Sequence, residues 1–474
     1  MKKTIVQFSS LLMLVVVMCG AASAQATPAA KSGAGLRMPP YRKVALKNGM
    51  TVLLMERRQV PLLSLNYIVR AGSVSDPKGK EGLASATAAL LRKGTKTRTA
   101  EQISQQLDFI GASFTTFANA DLSGGRAEFM KKDIAKGLEL FADLLLNPTF
   151  PQDEVKKLIA QRVDGVRAAK DRAQGVIPEY YHAFLFGGHP YGRPVGGDER
   201  SLTAITRDDI AAFYQSGYAP GNMILAVVGD FNAAEMEKMI SDRLGNWTVK
   251  GAAPAAIPAP QMASGKRLLL VDKPDSTQTY YMIGNTGVAR TNDDRVGIEI
   301  VNTLFGGRFT SMINSALRIK SGLTYGARSE FEMMKAPGAF YISTYTRNES
   351  TEKAIDMTLD VLRQLHEKGI TEEELRSAKE YIKGTLPPQR LETNDQLAAL
   401  LTELQFYGLS DAEINDYYAK VDAMTLADSR RIIKQYFPLE NLAFVLVGKA
   451  SDIGTVAKKY APEVKTKSIV EPGF

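Results

Sequence analysis

Thr206-Arg-Asp-Asp-Ile-Ala-Ala-Phe-Tyr-Gln-Ser-Gly-Tyr-Ala-Pro-Gly-Asn-Met-Ile-Leu-Ala-Val-Val-Gly229 is a helix start, a helix, a turn and a strand in one stretch. Thr206, with Asp209 three residues on, reads as a helix N-cap with its reciprocal partner, and Ile210, Phe213 and Tyr214 line one face of the helix it opens. Tyr218-Ala-Pro-Gly-Asn222 ends that helix, and the unbroken apolar run 223–228, closed by Gly229, reads as a buried strand. The same order returns 219 residues later: Thr425 with Asp428, Ile432 and Ile433, then Tyr436-Phe-Pro-Leu-Glu-Asn441, and the run 442–447 closed by Gly448. A further match, offset by 220, pairs Phe150-Pro-Gln-Asp-Glu-Val155 with Ile370-Thr-Glu-Glu-Glu-Leu375, each opening a helix. Three matches in register mean an internal duplication.

Within each copy the strand and helix patterns mix rather than alternate strictly. Residues 51–55, 64–69, 278–283 and 339–345 read as strands; 82–92, 134–146, 293–305 and 354–366 read as helices. The fold class is α+β, two copies of one domain, each a mainly antiparallel sheet with helices packed on one face. Two stretches rich in Ala, Pro and Gly set the boundaries. The expected layout is a signal peptide at 1–24, a flexible leader at 25–41, a first domain at 42–248, a linker at 249–266, a second domain at 267–460 and a tail at 461–474.

The start of the chain carries Lys2 and Lys3, an apolar run at 11–18 and Ala21-Ala-Ser-Ala24, the three parts of a secretory signal cleaved near Ala24. Periplasmic or secreted placement follows, and no stretch is long and apolar enough for a membrane span. The single cysteine, Cys19, lies inside the signal, so a Cys-His mechanism is excluded for the mature chain. A lipoprotein would acylate Cys19, but Met18 is larger than the small residue such sites prefer. Formal charge is +8, and removal of Lys2 and Lys3 leaves +6 with no basic run, so nucleic-acid binding has no footprint. No G-x-S-x-G elbow is present either.

Leu46-Lys-Asn-Gly-Met-Thr-Val52, Ala71-Gly-Ser73, Gly82-Leu-Ala84, His189-Pro-Tyr-Gly192 and Val228-Gly-Asp230 occur in an order and spacing that resembles the M16 (pitrilysin/insulinase-like) metallopeptidase family. That resemblance extends over nearly the whole mature chain. Active members continue from Gly-Leu-Ala into H-x-x-E-H, two His one helical turn apart that bind zinc and a Glu that activates water. Here the two ligand positions fall on Ser85 and Ala89 and the general-base position on Ala88. The family's third ligand, a Glu one long helix downstream, falls on Gly165, or on Asp164 if the alignment slips by one. His182, His189 and His366 are the only histidines, and none makes an H-x-x-x-H pair. No metal site and no catalytic residue of its own is therefore expected; His189 reads as structural, His182 and His366 as surface or packing residues.

The second half keeps what the first has lost. Leu304-Phe-Gly-Gly-Arg-Phe-Thr-Ser311 followed by Leu317-Arg-Ile-Lys-Ser-Gly-Leu-Thr-Tyr-Gly326 resembles the family's substrate-binding segment, with the Arg and Tyr at Arg318 and Tyr325 and the glycines at Gly306 and Gly307. The resemblance implies a non-catalytic, substrate-binding subunit that supplies Arg318 and Tyr325 in trans to a homologous M16 subunit with an intact H-x-x-E-H. Zn2+ would sit in that partner, and the substrate would be unfolded peptide. The alternative is an M16-like scaffold or peptide-binding protein with no role in proteolysis, which fold alone does not separate from the first reading.

Overall fold

The computed structural model describes residues 35–262 and 264–474; the signal peptide, Cys19 and most of the expected leader lie outside the described residues. The run that decided the reading is β6 (Met223–Gly229), buried at every position. Around it stand β1 (Arg42–Ala45), β2 (Thr51–Glu56), β3 (Leu62–Val69), β4 (Ser113–Ala118) and β5 (Ser123–Met130), in the order β1-β2-β6-β3-β5-β4. The second half repeats this with β7 (Arg267–Asp272), β8 (Gln278–Thr286), β9 (Arg328–Phe331), β10 (Ala339–Arg347), β11 (Ala443–Gly448) and β12 (Glu463–Ser468), in the order β12-β7-β11-β8-β10-β9.

The two copies match in five of their six strands. β6 is parallel to β2 and antiparallel to β3; β11 is parallel to β7 and antiparallel to β8. Thr206 and Thr425 both cap their helices through reciprocal bonds with Asp209 and Asp428. The outermost strands break the equivalence. β1 precedes its copy and lies antiparallel to β2, whereas β12 follows its copy and lies parallel to β7. Residues 463–468, expected to fall in a tail beyond the second domain, thus complete its sheet. The reason is an open edge: β7 has backbone donors and acceptors to satisfy, and this late segment reaches them.

One face of each sheet carries its own half's helices, as expected. In the first half Leu54, Leu65 and Leu225 pack with Leu138 and Phe141 of the helix Ile134–Leu146; in the second, Leu270, Ile283 and Leu446 pack with Leu362 and Leu365 of the helix Thr351–Lys368. The other face is covered by a helix from the opposite half. The helix Asn394–Tyr407 lays Leu397, Leu401 and Leu404 on Ile68, Ile224 and Val228 of the first sheet. The helix Ala173–Phe186 lays Val176, Tyr180 and Tyr181 on Met282, Val445 and Val447 of the second. Each exchange has its own polar fastening. Thr402 Oγ1 donates to Asn66 Oδ1 at 3.2 Å, and the Tyr181 hydroxyl donates to the Phe340 carbonyl at 2.9 Å. His182 is fastened as well, its Nε2 lying 2.6 Å from Glu332 Oε2. Burial would lower the His182 pKa, but the Glu332 bond and charge hold it above the ordinary value.

The exchange makes the two halves one cooperative body, and residues 36–474 form a single compact unit. Leu401, 1% exposed between the halves, is the sharpest probe of this. Leu401→Ala should lower the unfolding free energy by about 2–5 kcal/mol, and hydrogen exchange should show the amides of β6 and β11 losing protection together.

Candidate functional site

The helix Leu83–Leu90 carries the first set of candidate positions, and its start is fixed by one buried carboxylate. Asp76 accepts the backbone N–H of Gly82 at 2.9 Å and of Ala84 at 2.8 Å, donors that a helix start leaves without partners. Burial pushes the Asp76 carboxyl up to about 7, although these amides pull the other way. Gly82 has φ +97, and a Cβ there would come within 2.8 Å of the Gly196 carbonyl, so the approach to the helix requires glycine.

On this helix Ala88 is buried, while Ser85 and Ala89 are half-buried toward the helix Gln152–Lys170. What meets them from that helix is a guanidinium. Arg162 donates from one Nη to Ser85 Oγ and from the other to the Ser85 carbonyl, both at 3.0 Å. Burial lowers its pKa, and no carboxylate pairs with it among the described residues. Of the two positions considered for a third ligand, Gly165 has no side chain and Asp164 points to solvent, pairing with Arg167 at 3.5 Å. A guanidinium accepts no hydrogen bond and repels a divalent cation. These residues do not fit a zinc ion. Arg162 stands two and three residues before the positions considered for a third ligand, and nothing in its local sequence marks it as the group that meets Ser85.

The second set is brought together. Arg318, Tyr325, Gly306 and Gly307 all line one cavity of about 500 Å³. The helix Arg295–Asn302 runs on through wider π turns at Thr303–Gly307, and a second π stretch, Ser315–Lys320, carries Arg318; such turns recur at functional sites. Gly306 is there for closeness: a Cβ would fall 2.2 Å from Ser329 Oγ. Leu317 is fully buried, which turns the next side chain, Arg318, out over the Phe309 ring at 4.7 Å. Gly322 at φ +65 reverses the chain. Thr344 Oγ1 then donates to the Gly326 carbonyl at 2.8 Å, and with Thr324 buried, Tyr325 stands 78% exposed.

The opposite wall comes from the first half. Gln174, Ile177 and Pro178 of the exchanged helix face Arg318 across the cavity. A second cavity, of about 650 Å³, shares Gln174 and Tyr280 with the first and reaches back to Gly165. Together they form one groove between the halves. The three histidines stay out of it as reactive groups. His189 Nδ1 accepts the Tyr191 amide at 3.1 Å and its Nε2 meets the Pro258 carbonyl at 2.9 Å, pinning the linker, while His366 Nε2 meets the Phe437 carbonyl at 2.7 Å. His182, read as a surface or packing residue, instead joins the halves through Glu332.

Residues 51–199 match the family model described as insulinase (peptidase family M16), and residues 204–382 match the one described as peptidase M16 inactive domain. The chain belongs to peptidase family M16. A Rickettsia felis protein named an uncharacterized zinc protease is 25% identical over 431 residues, 90% of this chain and 96% of its own. One of Mycobacterium tuberculosis strain H37Rv, also named an uncharacterized zinc protease, is 27% identical over 350 residues, 73% of this chain and 79% of its own. Among solved structures, a peptidase M16 inactive domain from Pseudomonas fluorescens superposes with a TM-score of 0.81 at 27% identity, over 86% of this chain and 98% of that one. The periplasmic protease PqqL from Escherichia coli shares the fold at a TM-score of 0.72 and 18% identity, over 93% of this chain but 52% of that one.

Arg162 should act against metal even where ligands are supplied. A chain carrying Ser85→His, Ala88→Glu, Ala89→His and Gly165→Glu is expected to hold zinc more tightly once Arg162→Ala is added. Metal analysis after dialysis against a zinc buffer checks this; equal retention would mean that Arg162 is indifferent to the ion.

Proposed function

We propose that this chain is the substrate-binding, non-catalytic subunit of a two-chain M16 zinc peptidase of the bacterial periplasm, with a homologous partner that carries H-x-x-E-H and the zinc. The observation that carries the reading is the pair of contrasting sites. At Ser85, Ala88 and Ala89 every metal-binding type is gone and Arg162 stands in their neighbourhood, while Arg318, Tyr325, Gly306 and Gly307 converge on one open groove. The periplasmic location is supported by the pattern of residues 1–24, and no helix among the described residues is long and apolar enough to cross a membrane.

In this reading the groove holds an unfolded peptide, and the chain's own part is to bind and orient it. Guanidinium and phenol donors at Arg318 and Tyr325 would meet the backbone carbonyl under attack and stabilise charge as it develops there. Tyr325 is suited to such a role because its hydroxyl has no partner within the chain among the described residues and its ring stands in the open.

Tyr325→Phe keeps the ring and removes one donor. In the reconstituted complex it should leave assembly intact and slow peptide cleavage on the order of 10²–10³-fold, ~2.7–4 kcal/mol. Arg318→Ala should cost at least as much and weaken peptide binding as well. Sedimentation with the zinc-bearing partner controls for assembly. Wild-type cleavage by complexes of both variants would make the pair architectural and hand the chain to the scaffold reading.

A further inference from the structure

The part of the groove that holds Arg318 is lined by three arginines, Arg308, Arg318 and Arg328, and by no Asp or Glu, whereas the adjoining part carries both signs, Arg172 and Lys273 with Asp171 and Asp275. None of the three forms an ion pair among the described residues. Two are braced by aromatic faces instead. The Arg318 guanidinium lies over Phe309 at 4.7 Å, and that of Arg308 over Tyr381 at 5.9 Å, with rings that are themselves 61% and 43% exposed. Stacking engages the flat face of a guanidinium and leaves its N–H edge free, and that edge matches a carboxylate in a two-pronged hydrogen bond. Arg308 donates one Nη to Ser377 Oγ at 2.9 Å and its Nε is buried without an acceptor, which leaves the other Nη for a ligand.

The rest of the lining mixes aromatic and apolar residues with the neutral polar side chains of Gln174, Asn314, Ser343 and Thr344. Tyr280 and Tyr345 stack with ring centroids 5.0 Å apart, opposite Ile177 and Pro178. Three positive charges that form no ion pair repel a cationic ligand here and favour an anionic one, while the carboxylates of Glu349, Glu352, Asp356, Asp360 and Glu374 line a separate cavity that Arg308 also borders. Resting on the substrate-binding role above, we propose that this groove selects anionic peptides, in which a carboxylate lies beside an apolar or aromatic residue. Arg308 and Arg328 set the preference, while Arg318 and Tyr325 hold the backbone. The carboxylate is that of an Asp or Glu side chain or of a peptide's own C-terminus; the chemistry is the same for both.

Calorimetric titration of the isolated full chain tests this without the partner. Four short peptides share one apolar, Phe-containing scaffold: neutral and amidated; amidated with one internal Glu; amidated with one internal Lys; and neutral with a free C-terminus. At least one carboxylate-bearing peptide is expected to bind on the order of tenfold more tightly than the neutral one. The Lys peptide should bind more weakly, and added salt should narrow the differences. Which carboxylate peptide gains affinity tells a side chain from a terminus.

Arg308→Met and Arg328→Met keep the aliphatic stems, so each should fold with an unchanged melting temperature while the ratio of acidic to neutral affinity collapses toward one. Arg308→Lys should restore part of the ratio. If all four peptides bind equally, the charge selection is wrong and the peptide-binding role stands. Binding of none of them overturns the role itself, and the selection with it.

Discussion

β6 and β11 are apolar at every position, and that constraint governs the rest of the molecule. A strand with apolar side chains on both faces must be covered on both, or each exposed methylene costs about 0.8 kcal/mol in water. Each half has helices for one face only. The other face is supplied by exchange, the helix Asn394–Tyr407 for the first sheet and the helix Ala173–Phe186 for the second. Duplication without this exchange would leave two sheets with bare apolar backs.

The exchange also makes the groove. Docking the helix Ala173–Phe186 on the second sheet sets Gln174, Ile177 and Pro178 across from Arg318, so the cavity has one wall from each half. Helix breakage at Gly306-Gly307 and the left-handed turn at Gly322 open the second wall to solvent. The same chain therefore sets a guanidinium against Ser85 in its first half and holds a cavity open in its second through glycines and π turns. In the proposed reading, substrate positioning and metal chemistry belong to different copies of the duplicated domain, so one can be lost while the other persists.

Electrostatics separates the two pockets as well. Arg162 is turned inward and donates to Ser85, where its charge would oppose a cation. Arg308 and Arg318 rest on aromatic rings with donors to spare. The difference lies in what each guanidinium touches, since the residue type is identical. In the proposed reading it also accounts for how a basic chain with no basic run could favour an anionic peptide: the charge at the cavity is gathered by the fold, not by the sequence.

Much of the fold was legible before the structure because it rests on local chemistry. Thr206 and Thr425 cap helices through a residue three positions away; the runs at 223–228 and 442–447 declare buried strands by composition; the loss of His and Glu at Ser85, Ala88 and Ala89 is a matter of residue identity. The segment around Gly306, Gly307, Arg318 and Tyr325 was legible for the same reason, as residues close in sequence that the turns bring to one wall. What the tertiary structure alone decided involves partners far apart in the chain. An apolar helix stripe states that something must cover it without naming the surface, so the exchange of Leu401 and Tyr181 between halves carried no local mark. Strand β12 looked like a tail because its polar residues, Glu463 and Lys465 among them, show no buried pattern at a sheet edge. That Arg162 is set against Ser85 and Arg308 over Tyr381 carried no local mark either, because a guanidinium's role is fixed by the groups around it and those arrive from other elements of the fold.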